Sequence, residues 1–599
     1  MIKMKKLDIR RVCGVLLALL LVAACLPLTR SYAAQTSDVI HIASEADLAE
    51  LARQCALDTW SRGRTVVLDN DLTLEDGSFL PIPSFGGVFD GQDHAIRGIR
   101  ISGSLSPAGL FGVVQTGGVV RDLRAEGAVT PEGDARNVGG IAGENQGTIE
   151  DCSFTGTVSG KTNVGGIAGA NMAAGSILHC QADGAAAGEV MTGGIVGYNE
   201  GLAASCENNA FVNVESTDPR IDLDDLTQAL TMDLSALSRL NAGTSVTDTG
   251  GIAGYSAGTI ADCVNHGAVG YQHIGYNTGG IVGRSCGQLR QCANDGAVCG
   301  RKDVGGIAGQ IEPYIRVDDT DYLSEMNRQL YELRRLTDQA VSDAQDGSGD
   351  ISGQLGDMND YLRDNVSDPG DLAAIIHGFG QRLDDLNSTA SGSADAVAED
   401  LRAVNEQFNR LSNAMLAALS AASDPSSLVS DTSEVNVDSV TLGKTSDCRN
   451  SGTVDGDSNT GGIAGSMAVE YGLDPEDDVS ADLSGSYRRQ YEYKAIVQRC
   501  VNTGAVTAKR SNVGGIAGRM DLGFITGCES YGGIDSENGS YVGGIAGITA
   551  ATVRSSYAKC ALSGKQYVGG IVGAGTAERS DGGASTVADC WSLVDITAC

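Results

Sequence analysis

Val138-Gly139-Gly140-Ile141-Ala142-Gly143, then Gly147-Thr148-Ile149-Glu150-Asp151-Cys152, then Gly156-Thr157-Val158, is the stretch on which the fold turns. Its first part, GGI(A/V)G, starts at Gly139 and returns at Gly165, Gly193, Gly250, Gly279, Gly305, Gly461, Gly514, Gly543 and Gly569. Uninterrupted intervals are 26 to 29 residues. That is the period of supersecondary units that cannot bury their own apolar face and therefore stack into a solenoid. The second part returns as well, at Ile177/Cys180, Ile260/Cys263, Leu289/Cys292, Ile525/Cys528 and Val587/Cys590. Paired glycines cost a helix about 1 kcal/mol each, and the Ile, Val and Thr between them favour a pleated surface. Each unit is thus predicted to be a coil of short strands and turns. Ile149 and Cys152, three apart, cannot share one face of a straight strand, so a bend is predicted between them. With one strand per coil the sheets are parallel, and ten coils at ~4.8 Å would reach about 50 Å.

Composition narrows the classes further. Among 599 residues there are 82 glycines but 10 prolines, with 42% hydrophobic residues. Glycine without a strict Gly-X-Y period excludes collagen, and the apolar share argues against a disordered chain. Acids outnumber bases 76 to 42, a net charge of −34. Such a field repels nucleic acid and anionic lipid surfaces, and no basic patch offsets it.

These repeated residues resemble the GLUG-repeat family, whose units run V-G-G-I-V-G, G-x-I-x-x-C and G-x-V. The match covers most of 84–311 and 433–599, and Phe85-Gly86-Gly87-Val88-Phe89-Asp90-Gly91 with Gly109-Leu110-Phe111-Gly112 looks like the first coils of such proteins. The resemblance implies a mainly β chain, a right-handed parallel β-helix of bacterial surface proteins, often beside adhesive or protease-associated modules. It implies architecture more than mechanism.

Lys3, Lys5, Lys6, Arg10 and Arg11 precede an apolar run from Val12 to Leu28 and then Ser31-Tyr32-Ala33-Ala34, the order of a secretory signal over 1–34. Val22-Ala23-Ala24-Cys25 also reads as a lipoprotein box with Cys25 as the lipidated residue. Either reading exports the chain and makes it secreted or surface-bound, with contact to a membrane only through that lipid or a C-terminal anchor. The last unit breaks off at Cys599, so further sequence is expected beyond it.

Departures from the repeat are the expected caps and insertions. Ser44-Glu45-Ala46-Asp47 before Leu48, Leu51, Ala52 and Cys55 reads as an N-capped helix covering the first coil, within an N-terminal region 35–83. The coils of 84–311 carry an insertion at 216–248, with a short helix at Asp222–Leu240. The segment 312–432 separates them from the coils of 433–599, which carry an acidic, tyrosine-bearing loop at Ser466–Tyr493 within an insertion at 466–496. Between Asp318 and Ser430 stand 21 acidic and 7 basic residues, net −14. There Leu323, Met326, Leu330, Leu333, Thr337 and Ala340 follow helical spacing. So do Leu372, Ile376, Phe379, Leu383 and Leu386, and then Val397, Leu401, Val404, Phe408, Leu411, Met415 and Ala418. The expectation is an acidic α-helical hairpin or small bundle, its outer helices antiparallel, projecting from the rod.

Residues that could carry chemistry are few. Nine cysteines share one slot: Cys152, Cys180, Cys206, Cys263, Cys292, Cys448, Cys500, Cys528 and Cys590. Leu123 and Ser556 stand in equivalent places, so the slot reads as a small buried filler and the cysteines as a stacked thiol ladder. Bridges are expected, if anywhere, among Cys55, Cys286, Cys299, Cys560 and Cys599. Histidines stand at 41, 94, 179, 266, 273 and 377, and none begins H-E-x-x-H. Asp69, Asp71 and Asp90 read as turn formers rather than calcium ligands. Asp122, Asp151, Asp262, Asp447 and Asp589 precede the slot, but Ser205, Gln291 and Gly527 replace them elsewhere, which marks a solvated turn rather than a carboxylate pair for glycan cleavage. No catalytic, cofactor or metal residue is assigned. The expected function is a non-catalytic, adhesin-like stalk whose insertions meet a protein or glycan on a host or neighbouring cell. The alternatives are a repeat module of a larger exported enzyme, as in IgA-cleaving metalloproteases, and a β-helical polysaccharide lyase or hydrolase.

Overall fold

The computed structural model describes residues 39–75, 80–214, 246–318, 322–344, 349–366, 372–389, 401–412, 429–469, 490–536, 538–576 and 585–598. The chain is mainly β, in long parallel sheets of the kind a β-helix builds. One turn of chain shows how. Thr162–Gly165 joins a ten-stranded sheet, Ala168–Asn171 a twelve-stranded one, and Ser176–Leu178 and Gln181–Ala187 a third of 26 short strands. The next turn repeats this in strict register, with Gly165 opposite Gly193, Ala168 opposite Val196, Ile177 opposite Ala203 and Ala182 opposite Asn208. Six further strands, from Val298–Cys299 to Asp595–Ala598, line up beside the later coils.

What faces inward is what the repeat required. Ile141, Ile167, Ile195, Ile252, Ile281, Ile307, Ile463, Ile516 and Ile545 are all fully buried, and only Ile571, near the last coil, is partly exposed. Nine such isoleucines contribute about 1.5–3 kcal/mol each relative to exposure. The expected bend also falls where the spacing put it. Asp122, Asp151, His179, Ser205, Asp262, Gln291, Asp447, Arg499, Ser555 and Asp589, each just before the slot, have φ between 50° and 57°. This left-handed turn lets Ile149 and Cys152 both point inward, and Asp and Asn tolerate it best because a short polar side chain can bond locally.

Helix α1, Glu45–Gln54, begins at Ser44, whose Oγ accepts from the Asp47 amide at 3.3 Å. Its Leu48, Leu51 and Ala52 pack into the core with Ile42, Leu68 and Phe85. In the first coils Phe85, Phe89 and Phe111 pack together, with ring centroids 5.3 to 6.2 Å apart. At the far end Trp591, Leu593 and Ile596 are exposed.

Between Ile311 and Val429 the described chain contains α2 (Tyr322–Ala344), α3 (Gly349–Val366), α4 (Leu372–Thr389) and helical residues 401–412. They share a private core of Leu330, Leu333, Ala340, Leu355, Met358, Phe379, Leu383, Leu386, Leu401, Val404 and Leu411. Helix α3 was not expected, because Gly353 and Gly356 interrupt its Leu355/Met358 face. A three-stranded sheet was also missed: Tyr314–Asp318 pairs antiparallel and Val429–Asp431 parallel with Gln490–Lys494. Gln490–Lys494 is therefore strand where a loop was expected, and the sheet ties together the bases of two insertions. The segment 1–34 with Cys25, the stretch Asp222–Leu240, the middle of Ser466–Tyr493, and Val397, Met415, Ala418 and Cys599 lie outside the described residues.

Candidate functional site

The two long sheets meet at a corner, and the outside of that corner is a groove. The third glycine of each signature makes the corner possible. A Cβ on Gly283 would stand 2.4 Å from the Asp248 carbonyl carbon, and one on Gly309 2.4 Å from that of Asn277. Backbone packs on backbone there, coil upon coil, and only glycine fits. Two residues before each signature the chain again turns left-handed, at Met191, Asp248, Asn277, Asp303, Asn459 and Asn512, giving one wall of the groove. The other wall is the residue after the third glycine, in the register Tyr198, Tyr255, Arg284, Gln310, Ser466, Arg519.

A cavity of about 800 Å³ lies between these walls, lined among others by Asp248, Asn277, Asp303, Gln310, Ser466 and Tyr276. Its charges are already matched. Arg284 donates through Nε and Nη2 to both oxygens of Asp248 at 3.0 Å, and through Nη1 to Glu312 at 3.0 Å. Asn277 Nδ2 adds a bond to Asp248 at 2.9 Å. Burial works against the Arg284 charge, but the bonds and charges of Asp248 and Glu312 outweigh it and hold the guanidinium above its ordinary range. That guanidinium lies 4.8 Å over the Tyr255 ring, which stacks on Tyr198 at 5.7 Å. Burial first, then the contact with Cys286, raises the Tyr255 hydroxyl. Asp303 accepts from Asn459 at 2.8 Å and stands 3.5 Å from Lys302, while Arg519 pairs with Asp521 at 2.8 Å. Between them Gln310 Oε1 and Ser466 Oγ are buried with no hydrogen-bond partner among the described residues. Arg284, Lys302 and Arg519 thus balance Asp248, Asp303 and Asp521, and the unsatisfied groups are neutral, an amide oxygen and a hydroxyl.

Elsewhere the structure separates the residues singled out from sequence. Slot cysteines 152, 180, 206, 263, 292, 448, 500 and 528 are buried, as are Leu123 and Ser556, and every described cysteine is a free thiol, including Cys55, Cys286, Cys299 and Cys560. Burial pushes the Cys180 and Cys500 thiols well above their ordinary range. Histidines stitch neighbouring coils, His41 to Asp69 at 2.8 Å, His94 to Asp71 at 3.1 Å and His266 to Asp295 at 2.7 Å, and His273 reaches Asp457 two coils on at 2.8 Å. His179 faces Asp151 at 3.6 Å, and His377 bonds Gln381. Asp90 accepts from the Gln92 amide, the turn role expected of it. Among the described residues no three His, Cys, Asp or Glu side chains gather as a metal site would need.

Sequence reasoning missed the asparagines. Two residues after the slot, Asn208, Asn265, Asn294, Asn450 and Asn502 form a buried ladder in which each Nδ2 donates to the next Oδ1 at 2.7 to 2.9 Å. A second ladder runs Asn145, Asn171, Asn199 and Ser256. The C-x-N spacing at Cys206, Cys263, Cys292, Cys448 and Cys500 was the available signal.

The model of the GLUG motif matches residues 134–159, and the chain carries that motif. Halomucin from Haloquadratum walsbyi (strain DSM 16790 / HBSQ001) is 34% identical over 145 residues, which cover 21% of this chain and 2% of that protein. No solved structure matches the chain. No helix among the described residues is long and apolar enough to cross a membrane.

Proposed function

We propose that this chain is an exported, non-catalytic binding stalk of the cell surface. Its coils form a right-handed β-helical rod, and its acidic helical segment projects from that rod toward a protein or glycan on a host or neighbouring cell. One observation carries the reading. The strand register passes the helical segment without a slip, Asn294 bonding Asn450 at 2.8 Å across 156 residues of sequence. A scaffold that closes beneath an insertion does not need it for its own packing, so the insertion is free to serve contact. The repeated GLUG motif and the halomucin likeness support a repeat-built surface protein. Against catalysis stands the groove, where both oxygens of Asp248 are taken by Arg284 and Asp303 and Asp521 each stand beside a cation. Binding of the fluorescently labelled chain to cell surfaces, compared with a chain lacking 318–430, tests this: loss on deletion is expected, and equal binding would overturn it.

A further inference from the structure

We infer that the groove between Asp248 and Arg519 is a binding site for a neutral, hydroxyl-rich chain, an oligosaccharide of uncharged sugars. Gln310 and Ser466 are 3% and 2% exposed, yet Gln310 Oε1 and Ser466 Oγ, in register on adjacent coils, have no partner among the described residues. An unsatisfied buried polar atom is costly, so two together in the lining of a cavity call for a hydrogen-bonding partner from outside. Gln310 Nε2 is spent on the Ala468 carbonyl at 3.4 Å, which leaves its oxygen aimed as an acceptor. A ligand rich in O–H donors satisfies both.

Charge selects among such ligands. The three cations lining the cavity, Arg284, Lys302 and Arg519, each stand within ion-pair distance of a lining carboxylate. Three lining cations face three lining carboxylates, so an acidic sugar or a phosphate meets no net positive charge there, and the Asp248 acceptors are occupied. Tyr276, also in the lining and with the Arg301 guanidinium 6.0 Å over its ring, is the aromatic side chain against which the apolar side of a sugar ring can lie. Shape agrees: the wall from Met191 through Asp248, Asn277 and Asp303 to Asn459 spans five coils, roughly 19 Å at strand spacing. A wall repeating at every coil suits a repeating ligand.

Saccharide binding in the groove deepens the binding-stalk reading and rests on it, yet each can fail alone. The full chain is titrated calorimetrically with cellohexaose, xylohexaose, mannohexaose and laminarihexaose, and with a hexagalacturonate as the charged comparison. At least one neutral hexasaccharide is expected to bind, and Gln310→Met and Ser466→Ala to weaken it at least tenfold without lowering the melting temperature. Cell-surface binding through the helical segment is expected to survive both substitutions. Absence of any neutral saccharide binding at millimolar concentration, preference for the hexagalacturonate, or full binding by both variants would overturn the inference. In each of those cases retained cell binding would leave the stalk standing, whereas saccharide binding without cell binding would sink the stalk and spare the groove.

Discussion

Asn294 and Asp295 are neighbours in sequence with opposite surroundings, and replacing each by alanine separates the inside of the coil from its outside. The Asn294 side chain is 1% exposed. Its Oδ1 accepts from Asn265 at 2.7 Å, and its Nδ2 donates to the Gly296 carbonyl at 2.9 Å and to Asn450 at 2.8 Å. Asn294→Ala therefore strands three buried groups: one N–H of Asn265, the Gly296 carbonyl and Asn450 Oδ1. At about 1 kcal/mol each, the low end of the cost of a buried unsatisfied group, the loss is about 3 kcal/mol. Asn502, the last amide of the ladder, accepts from Asn450 and donates to Gly504, so Asn502→Ala strands two groups and should cost about 2 kcal/mol. Asp295 gives up only an exposed contact with His266, worth under about 1 kcal/mol. Equilibrium urea unfolding followed by circular dichroism, with an unchanged slope, reads these as shifts in midpoint. The order Asn294→Ala, Asn502→Ala, Asp295→Ala is expected. Equal midpoints for Asn294→Ala and Asp295→Ala would refute the ladder.

Three further outcomes follow from the same packing. Ile281 is fully buried, so Ile281→Val should cost about 0.5–1.5 kcal/mol and Ile281→Asp several kcal/mol for an unpaired carboxylate, both seen in thermal unfolding. Gly283→Ala drives a Cβ into the Asp248 backbone and should destabilise by about 1–3 kcal/mol, whereas Gly533→Ala, with nothing within 4 Å, should be nearly silent. Because burial keeps the Cys180 thiol protonated in the folded chain, the unfolded chain gives up that proton first, above about pH 8.5. The stability this thiol lends is whole below that pH and is lost as pH rises toward the folded value, so Cys180→Ser should flatten the fall in urea midpoint between about pH 8 and 10.

Much of this was legible in the sequence because periodicity reports burial. A signature whose isoleucine always returns after two glycines can only be the same corner of successive coils, and Cys, Leu and Ser sharing one slot can only be a filler. The bend before the slot was legible too, since Ile149 and Cys152 cannot both face inward without it. Helix α3 was hidden because Gly353 and Gly356 lower helix propensity, and the packing of Leu355 and Met358 against α2 and α4 outweighs that. The sheet at Gln490–Lys494 was hidden because its partners stand far away in sequence. The groove was least visible. One of its walls varies from coil to coil, Tyr255 to Arg284 to Gln310, so no repeated letter marks it, and the unpaired polar atoms exist only once neighbouring coils are stacked.

The stacking of coils across the insertions is the claim from which the rest descends, and a distance tests it most directly. His179 and Arg499 occupy the exposed turn before the slot, five coils apart, with three insertions between them in sequence. Spin labels attached there through a non-cysteine handle, measured by double electron–electron resonance, should give a narrow distribution near five strand spacings, roughly 24 Å plus the label tethers. A broad distribution, or one centred beyond roughly 45 Å, where five parallel spacings could not place it, would contradict the stack.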